Sequence, residues 1–226
     1  MLTTLQIMSS VKSAAPVAAL PSKETRIMDA AFQLFLRHGY RKVGIGDIAA
    51  AAQMSRPSLY ASFPNKEAIF AAMVLRQRDQ CLAESGVRLR PGQDLATRLR
   101  HLFDIWVLEP VAAVIDSENA TELLAKCGDY APEALAALYA QFEAQLVATL
   151  QPEVQAQAPL SAADLGYILR LATTSLKASA DNEADLRRLI GGLIAMTLAT
   201  VRAGEGAGKA VVTTTAAAAK RKRGSG

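Results

Sequence analysis

The sequence predicts an all-α protein, with a small N-terminal head of three short helices that includes a helix-turn-helix and a larger helical body behind it. Three observations carry that prediction. Hydrophobic residues make up 51% of the 226 residues, enough to bury a substantial core. Apolar positions recur at three and four rather than at two, which is the period of a helix and not of a strand. Aromatic residues account for only 5%, while Leu and Ala, both strong helix formers, are abundant.

The head begins after residues 1–21, a Ser, Thr, Ala and Pro mixture that ends in Pro21 and reads as a mobile arm. Ser22 is placed to cap a first helix with Ile27, Ala30, Ala31, Leu34 and Phe35 on one face, and Gly39 ends it. A short second helix runs from about Ile45 to Ala52, with Ile45, Ile48, Ala49 and Ala52 turned inward. Ser55 caps a third, where Pro57 sits early enough that its missing N–H costs little. Leu59 and Phe63 form its inward i, i+4 pair, and Pro64 stops it. Asn65 caps a longer fourth helix through Ile69, Phe70, Met73 and Val74 toward Leu82, before Ser85, Gly86, Pro91 and Gly92 break the pattern. Further helical stretches follow at about 94–114, 117–127, 132–150, 161–179 and 182–203. From Gly204 onward, Gly, Thr and Ala lead to Lys220, Arg221, Lys222 and Arg223, which reads as a disordered basic tail.

Charge separates the two ends of the chain. Residues 22–76 carry eight Lys or Arg against four Asp or Glu, whereas residues 81–203 carry ten against fifteen. The net charge of +4 thus conceals an anion-seeking head and an acidic body, although ordinary surface variation would also give such numbers. Cys81 and Cys127 match no metal or redox spacing and read as two buried thiols in a reducing compartment. Leu189 to Val201, the longest strongly apolar run, is too short to span a bilayer and contains Gly191 and Gly192. Residues 13–20, interrupted by Pro16, fall short of a secretory leader, so a cytoplasmic location is expected.

The tight segment Gln53, Met54, Ser55 between the second and third helices is the joint of a fold that lays one helix into the major groove of duplex DNA. With Leu59 and Phe63 inward, Pro57, Ser58 and Ala61 project outward, flanked by Arg56, Tyr60 and Ser62. Arg56 and Ser58 suit base edges or phosphates, and the hydroxyls of Tyr60 and Ser62 suit phosphate oxygens. Helix starts near Gly44, Ile45 and Gly46, and near Asn65 and Lys66, add amides that attract anions, and Lys66 adds a full charge.

Thr25-Arg26-Ile27, Ala30-Ala31, Phe35, Gly39-Tyr40, Asp47-Ile48-Ala49, Ser55, Leu59-Tyr60, Phe63 and Asn65-Lys66-Glu67-Ala68-Ile69-Phe70 together resemble the DNA-binding domain of the tetracycline-repressor (TetR) family. The resemblance covers about residues 22–72 and adds Thr25 and Tyr40 to the expected DNA contacts. Three positions depart from it: Gln53 stands where the family commonly has Gly, Gly44 where Ser or Thr often caps the second helix, and Ser62 where His or an aromatic is common. Gly still serves as an N-cap, Gln53 takes on left-handed backbone strain, and Ser62 shortens one phosphate contact.

The resemblance implies that residues 73–203 bind a small-molecule effector and dimerise through the last two long helices. Gly191, Ala195 and Ala199, with Gly192 beside them, form a small-residue stripe flanked by Leu189, Ile190, Leu193, Ile194, Met196 and Leu198. An interior Gly costs about 1 kcal/mol relative to Ala, so close approach of another helix is its compensation, one of a second subunit in preference to one of the same chain. Leu165 and Leu169 of the preceding helix are expected in the same interface. Candidates for an effector pocket are His101, Phe103, Trp106, Cys127, Tyr130, Tyr139, Phe142 and Tyr167, with Trp106 and Tyr139 the first probes because each joins a polar tip to a large apolar surface.

These expectations describe a homodimeric repressor that binds an inverted repeat in double-stranded DNA and is released by an effector. Activation by the same fold is the alternative. An enzyme acting on the body's ligand is disfavoured: the only histidines are His38 and His101, and no nucleophile elbow, phosphate loop or metal spacing appears. No catalytic residue, metal or cofactor is expected. A nonspecific architectural binder using the tail is the third reading, to be recognised by equal affinity for all duplexes.

Overall fold

The computed structural model describes residues 21–112, 119–156, 158–180 and 182–222; the expected N-terminal arm lies almost wholly outside them. Every regular element among these is helical: α1 (Lys23–His38), α2 (Ile45–Ala51), α3 (Arg56–Tyr60), α4 (Lys66–Arg88), α5 (Leu95–Phe103), α6 (Glu109–Ala112), α7 (Ala120–Tyr130), α8 (Pro132–Leu150), α9 (Ala162–Ser179) and α10 (Glu183–Lys222). A π-helical turn, Asp104–Leu108, joins α5 to α6.

Local chemistry sets most boundaries. The Ser22 hydroxyl accepts the Thr25 amide at 3.1 Å, the Ser55 hydroxyl accepts that of Ser58, and the Asn65 carboxamide oxygen accepts that of Ala68 at 2.7 Å. Asp94 and Ser161 do the same for α5 and α9. Each such cap satisfies an amide that has no partner within its own helix. Gly39, at φ 82°, ends α1 in a conformation that favours glycine.

Two hydrophobic clusters organise the molecule. The head cluster gathers Ile27, Ala31 and Phe35 of α1, Ile48 and Ala49 of α2, Leu59 of α3, and Ile69, Phe70 and Val74 of α4. It continues into the body through Leu123 of α7, Ala131, and Ala134 of α8. The body cluster holds Leu99, Leu102 and Phe103 of α5, Trp106 of the π turn, Phe142 and Leu146 of α8, Leu165 and Leu169 of α9, and Leu186 and Ile190 of α10.

Three helix ends differ from the sequence expectation. α4 runs through Ser85 and Gly86 to Arg88, because Ser85 turns inward: its hydroxyl donates to the Cys81 carbonyl at 2.8 Å and accepts the Trp106 indole N–H at 2.9 Å. A serine that satisfies itself inside the helix no longer breaks it. α3 stops at Tyr60, and only single turn bonds, such as Phe63 N–H to the Leu59 carbonyl, carry the chain to Pro64. α10 continues to Lys222, past the end expected at residue 203 and through the stretch read as a disordered tail; residues 223–226 lie outside the described set. The Ala-rich run 216–219 and the Lys and Arg after it have high helix propensity and lose little by extending a helix already nucleated upstream.

Phe142 is the hinge of body packing, 2% exposed, edge-on to Phe103 at 5.8 Å and stacked on Trp106 at 5.6 Å. Phe142→Ala should therefore lower the unfolding free energy by about 3–5 kcal/mol, read as a shift of the urea midpoint without change in slope. A loss under about 1 kcal/mol would mean that the body core is packed elsewhere.

Candidate nucleic-acid interface

The interface is built from the turn outward. Gln53 adopts φ 57°, the only positive φ at a non-glycine among the described residues, so the strain expected where glycine is usual is present. Three bonds to the last turn of α2 and its cap hold it: Arg26 Nη2 donates to the Ala52 carbonyl at 2.8 Å, the Gln53 amide to the Ala50 carbonyl at 3.0 Å, and the Met54 amide to the Ala49 carbonyl at 2.9 Å. Ser55 then starts α3. Leu59 is fully buried and Phe63 is 8% exposed, which clamps this five-residue helix through one side. Arg56, Pro57, Tyr60 and Ala61 are left exposed, Tyr60 at 53%, and Ser58 is half-buried.

Arg56 makes no ion pair or hydrogen bond in the described structure, and its guanidinium lies across Gly46 in the first turn of α2. A Cβ built on Gly46 would stand 2.4 Å from Arg56 Nη2. Gly46 thus leaves the space that the guanidinium occupies, and no residue spacing could have announced it.

The remaining expected contacts divide. Gly44 and Ile45 open α2, but the Gly44 amide is taken by the Asp47 carboxylate at 2.8 Å, which removes one donor from an anion. Thr25 is half-buried with its hydroxyl 3.1 Å from that of Ser22, and the Ser62 hydroxyl donates to Glu24 at 3.4 Å.

Tyr40 is a correction. It is 4% exposed, inside a ring cluster with Phe35 at 5.0 Å, Phe70 at 5.4 Å and Tyr130 at 3.8 Å. Its hydroxyl donates to Glu67 at 3.2 Å, and burial together with that carboxylate holds the phenol well above its ordinary pKa. A ring so placed is a core residue and offers no face to DNA.

Lys66 also differs from the free charge the sequence suggests. Its ammonium donates to the carbonyls of Tyr40 at 2.8 Å and Val43 at 3.0 Å and lies 4.2 Å from the Tyr40 ring centre. Burial pulls its pKa down. Two of its three donors tie the start of α4 to the α1–α2 connection, so its first role is to position the head.

The pocket candidates separate as well. Phe103, Trp106 and Phe142 are filled core, and Tyr167 is 50% exposed on α9 with the Arg170 guanidinium 5.0 Å from its ring. Tyr130 belongs to the joint between head and body. His101 is half-buried, 3.5 Å from the Gln93 amide nitrogen. Cys127 and Tyr139 remain together, both half-buried. Leu165 and Leu169, expected at a dimer interface, are 5% and 2% exposed against the chain's own core. The face of α9 turned to solvent carries Tyr167, Ile168 and Leu171 instead, one step round the helix. On α10 the expected residues Gly191, Gly192, Ala195 and Ala199 are exposed beside Met196, and Leu189 is half-buried.

Comparison with known proteins agrees with this geometry. Residues 27–73 match the family model described as bacterial regulatory proteins, tetR family. The head is a tetR-family domain. The chain is 37% identical over 62 residues to the HTH-type transcriptional repressor ComR of Escherichia coli strain K12, covering 27% of this chain and 30% of that protein. It is 38% identical over 85 residues to the HTH-type transcriptional activator FasR of Mycolicibacterium smegmatis, covering 36% and 38%. The match therefore spans about a third of the length of these relatives, 30% of one and 38% of the other. Beyond the tetR-family head the likeness is one of fold: the structure of Thermus thermophilus FadR in complex with lauroyl-CoA superposes with a TM-score of 0.55 at 22% identity, covering 80% of this chain and 94% of that one. Among the described residues no group of three or more His, Cys, Asp or Glu is placed to hold a metal ion, and no helix is long and apolar enough to cross a membrane.

Lys66→Met keeps the aliphatic stem and removes the donors. It should destabilise the tetR-family head by about 1.5–3 kcal/mol, the value of a hydrogen bond to a charged group, in denaturant titrations. Unchanged stability would show that the ammonium is free for other work.

Proposed function

We propose that this tetR-family protein is a homodimeric transcriptional regulator in which residues 22–72 read an inverted repeat and residues 73–203 hold an effector and pair the subunits. The observation that supports it best is the outer side of α3: an unpaired guanidinium and a half-exposed phenol on a helix clamped by Leu59. Ser55, Arg56, Pro57, Ser58 and Tyr60 make the groove contacts in this reading, with Arg56 the reader of base edges.

Pairing is supported by the apolar faces of α9 and α10, where Ile168, Leu171 and Met196 are 45%, 43% and 69% exposed in the single chain. A Cβ at Gly191 or Gly192 would meet nothing within 4 Å, so these glycines leave space that the chain itself does not fill. Two such faces packed together form a four-helix bundle and set the heads about 34–36 Å apart, one turn of DNA.

Release by an effector requires the body to move the head. The Tyr40–Tyr130 stack and the bond from Asn119 Nδ2 to the Leu36 carbonyl, at 2.8 Å, tie α7 to α1, so a shift of α7 reaches the head without an intervening loop. A repressor is the simpler reading, because occupancy of an operator needs no further contact. A repressor and an activator both stand among the relatives, and that choice is decided by transcription from the operator with and without effector.

Binding to the DNA just upstream of the gene tests the reading. Arg56→Ala should lose about 1–3 kcal/mol of operator affinity and relax the sequence preference. Gly46→Ala should act in the same direction by displacing the guanidinium, while raising or preserving thermal stability because Ala favours the helix by about 1 kcal/mol. The two substitutions combined should cost no more than Arg56→Ala by itself. Wild-type affinity in both variants would remove α3 from the groove. Met196→Lys should convert the dimer to a monomer in sedimentation analysis, and an unchanged dimer would place the subunit contact elsewhere.

A further inference from the structure

Helical phase places Lys177 on the inward stripe of α9. Leu169 and Thr173, two turns and one turn before it, are each 2% exposed. Lys177 itself is half-buried and makes no ion pair or hydrogen bond in the described structure. Its ammonium stands 5.5 Å from the centre of the Tyr139 ring of α8. Cys127 of α7 and Cys81 of α4 lie within electrostatic reach of it. The Cys81 thiol is itself occupied, donating to the Ile105 carbonyl and accepting from Gln77 Nε2, each at 3.3 Å.

Side chains of α4, α7 and α8 thus come within reach of this α9 cation, and none of the described residues pairs with it as an anion. Three acids of neighbouring elements have cations of their own: Glu143 of α8 pairs with Arg170 at 2.7 Å, Asp129 of α7 with Lys126 at 3.1 Å, and Glu109 of α6 with Arg88. Burial raises both thiols, Cys127 to about 11, so neither is a thiolate that could pair with the lysine. A partly desolvated ammonium against rings and thiols is costly to keep, and a counter-ion from outside the chain relieves that cost.

We infer that Lys177 anchors an effector site between α4, α7, α8 and α9 that takes a small carboxylate carried on an apolar body. This rests on the ligand-responsive reading above. The ammonium selects the carboxylate and rejects cations; the Tyr139 ring and the Cys127 side chain receive the apolar part. Cys127 lies one turn before Tyr130, so an occupant here presses on the helix that carries the stack against Tyr40.

The test is calorimetric titration of the full chain, without DNA, with octanoate, laurate and benzoate, each beside its uncharged amide, and with choline. At least one carboxylate should bind about tenfold to a hundredfold more tightly than its amide, the margin of one charge-assisted hydrogen bond, and choline should not bind. Lys177→Met should abolish that margin and melt no lower than wild type when unliganded, since an apolar side chain replaces an unpaired cation; Lys177→Arg should retain the preference. Should Lys177→Met not fold, the wild-type comparison of acid with amide and the Lys177→Arg titration decide.

A pH profile separates this role from a structural one. Burial lowers the free amine's pKa, and a bound carboxylate draws the proton back, so affinity should fall as pH rises through the amine's titration. The other titratable groups facing it, Cys81, Cys127 and Tyr139, are all held neutral by burial. Equal affinity for acid and amide, no binding of any carboxylate, or wild-type binding by Lys177→Met would overturn the assignment. If the carboxylate binds but operator affinity does not respond, the site stands and the regulator reading fails; if a neutral molecule releases DNA, the reverse holds.

Discussion

The stack of Tyr40 on Tyr130 is the contact on which the rest of the structure turns. At 3.8 Å between ring centres it joins the end of α1 to the end of α7, and the rings of Phe35 and Phe70 close round it. Because the head's apolar cluster runs without interruption into Leu123, Ala131 and Ala134, head and body share one packed joint. Packed interiors do not deform continuously, so a change on α7 is either absorbed by repacking this joint or passed to the head as a rigid movement.

Polar groups around the joint determine which of these happens. Glu67 takes the Tyr40 hydroxyl, and Lys66 takes the carbonyls of Tyr40 and Val43, so adjacent residues at the start of α4 grip the same segment from both sides. The Tyr130 hydroxyl, by contrast, is buried with no hydrogen-bond partner among the described residues. An unsatisfied buried hydroxyl costs on the order of 1–3 kcal/mol, so the α7 side of the stack is held less firmly than the head side. The asymmetry favours motion that starts in the body and moves the head as a unit, because the head half of the joint is the stiffer one.

Much of this was legible in the sequence, and the reason is local. Ser22, Gly39, Ser55 and Asn65 act through bonds three or four residues long, so the head's helix starts could be read directly. Leu59 and Phe63 followed from helical phase. Long-range partners could not be read this way. Tyr40 and Lys66 carry the polar tips expected of DNA contacts, yet their partners come from elements 23 to 90 positions away, and only the fold brings these together. Leu165 and Leu169 failed for a related reason: on an amphipathic helix with two apolar faces, phase does not say which face meets its own core and which a second chain. The end of α10 was misread because a Gly and Thr content that discourages a new helix is tolerated in one already propagating.

The same limit explains why the candidate effector site is found on a residue that composition hides. A lysine is ordinarily read as solvent-facing charge, and Lys177 lies in a stretch of α9 with nothing to mark it. Its position becomes informative only when Cys81, Cys127 and Tyr139, drawn from three other helices, are seen round it without an acid among them. The head shows the converse at Arg56: there a cation is left unpaired on the surface, over a glycine that gives it room. Arg56 and Lys177 are thus two cations with no ion pair or hydrogen bond among the described residues, one outside and one inside, and in the reading proposed above each is balanced by another molecule. The physical link between them is the aromatic joint, since α7 comes within electrostatic reach of the inner cation at Cys127 and meets the head through Tyr130.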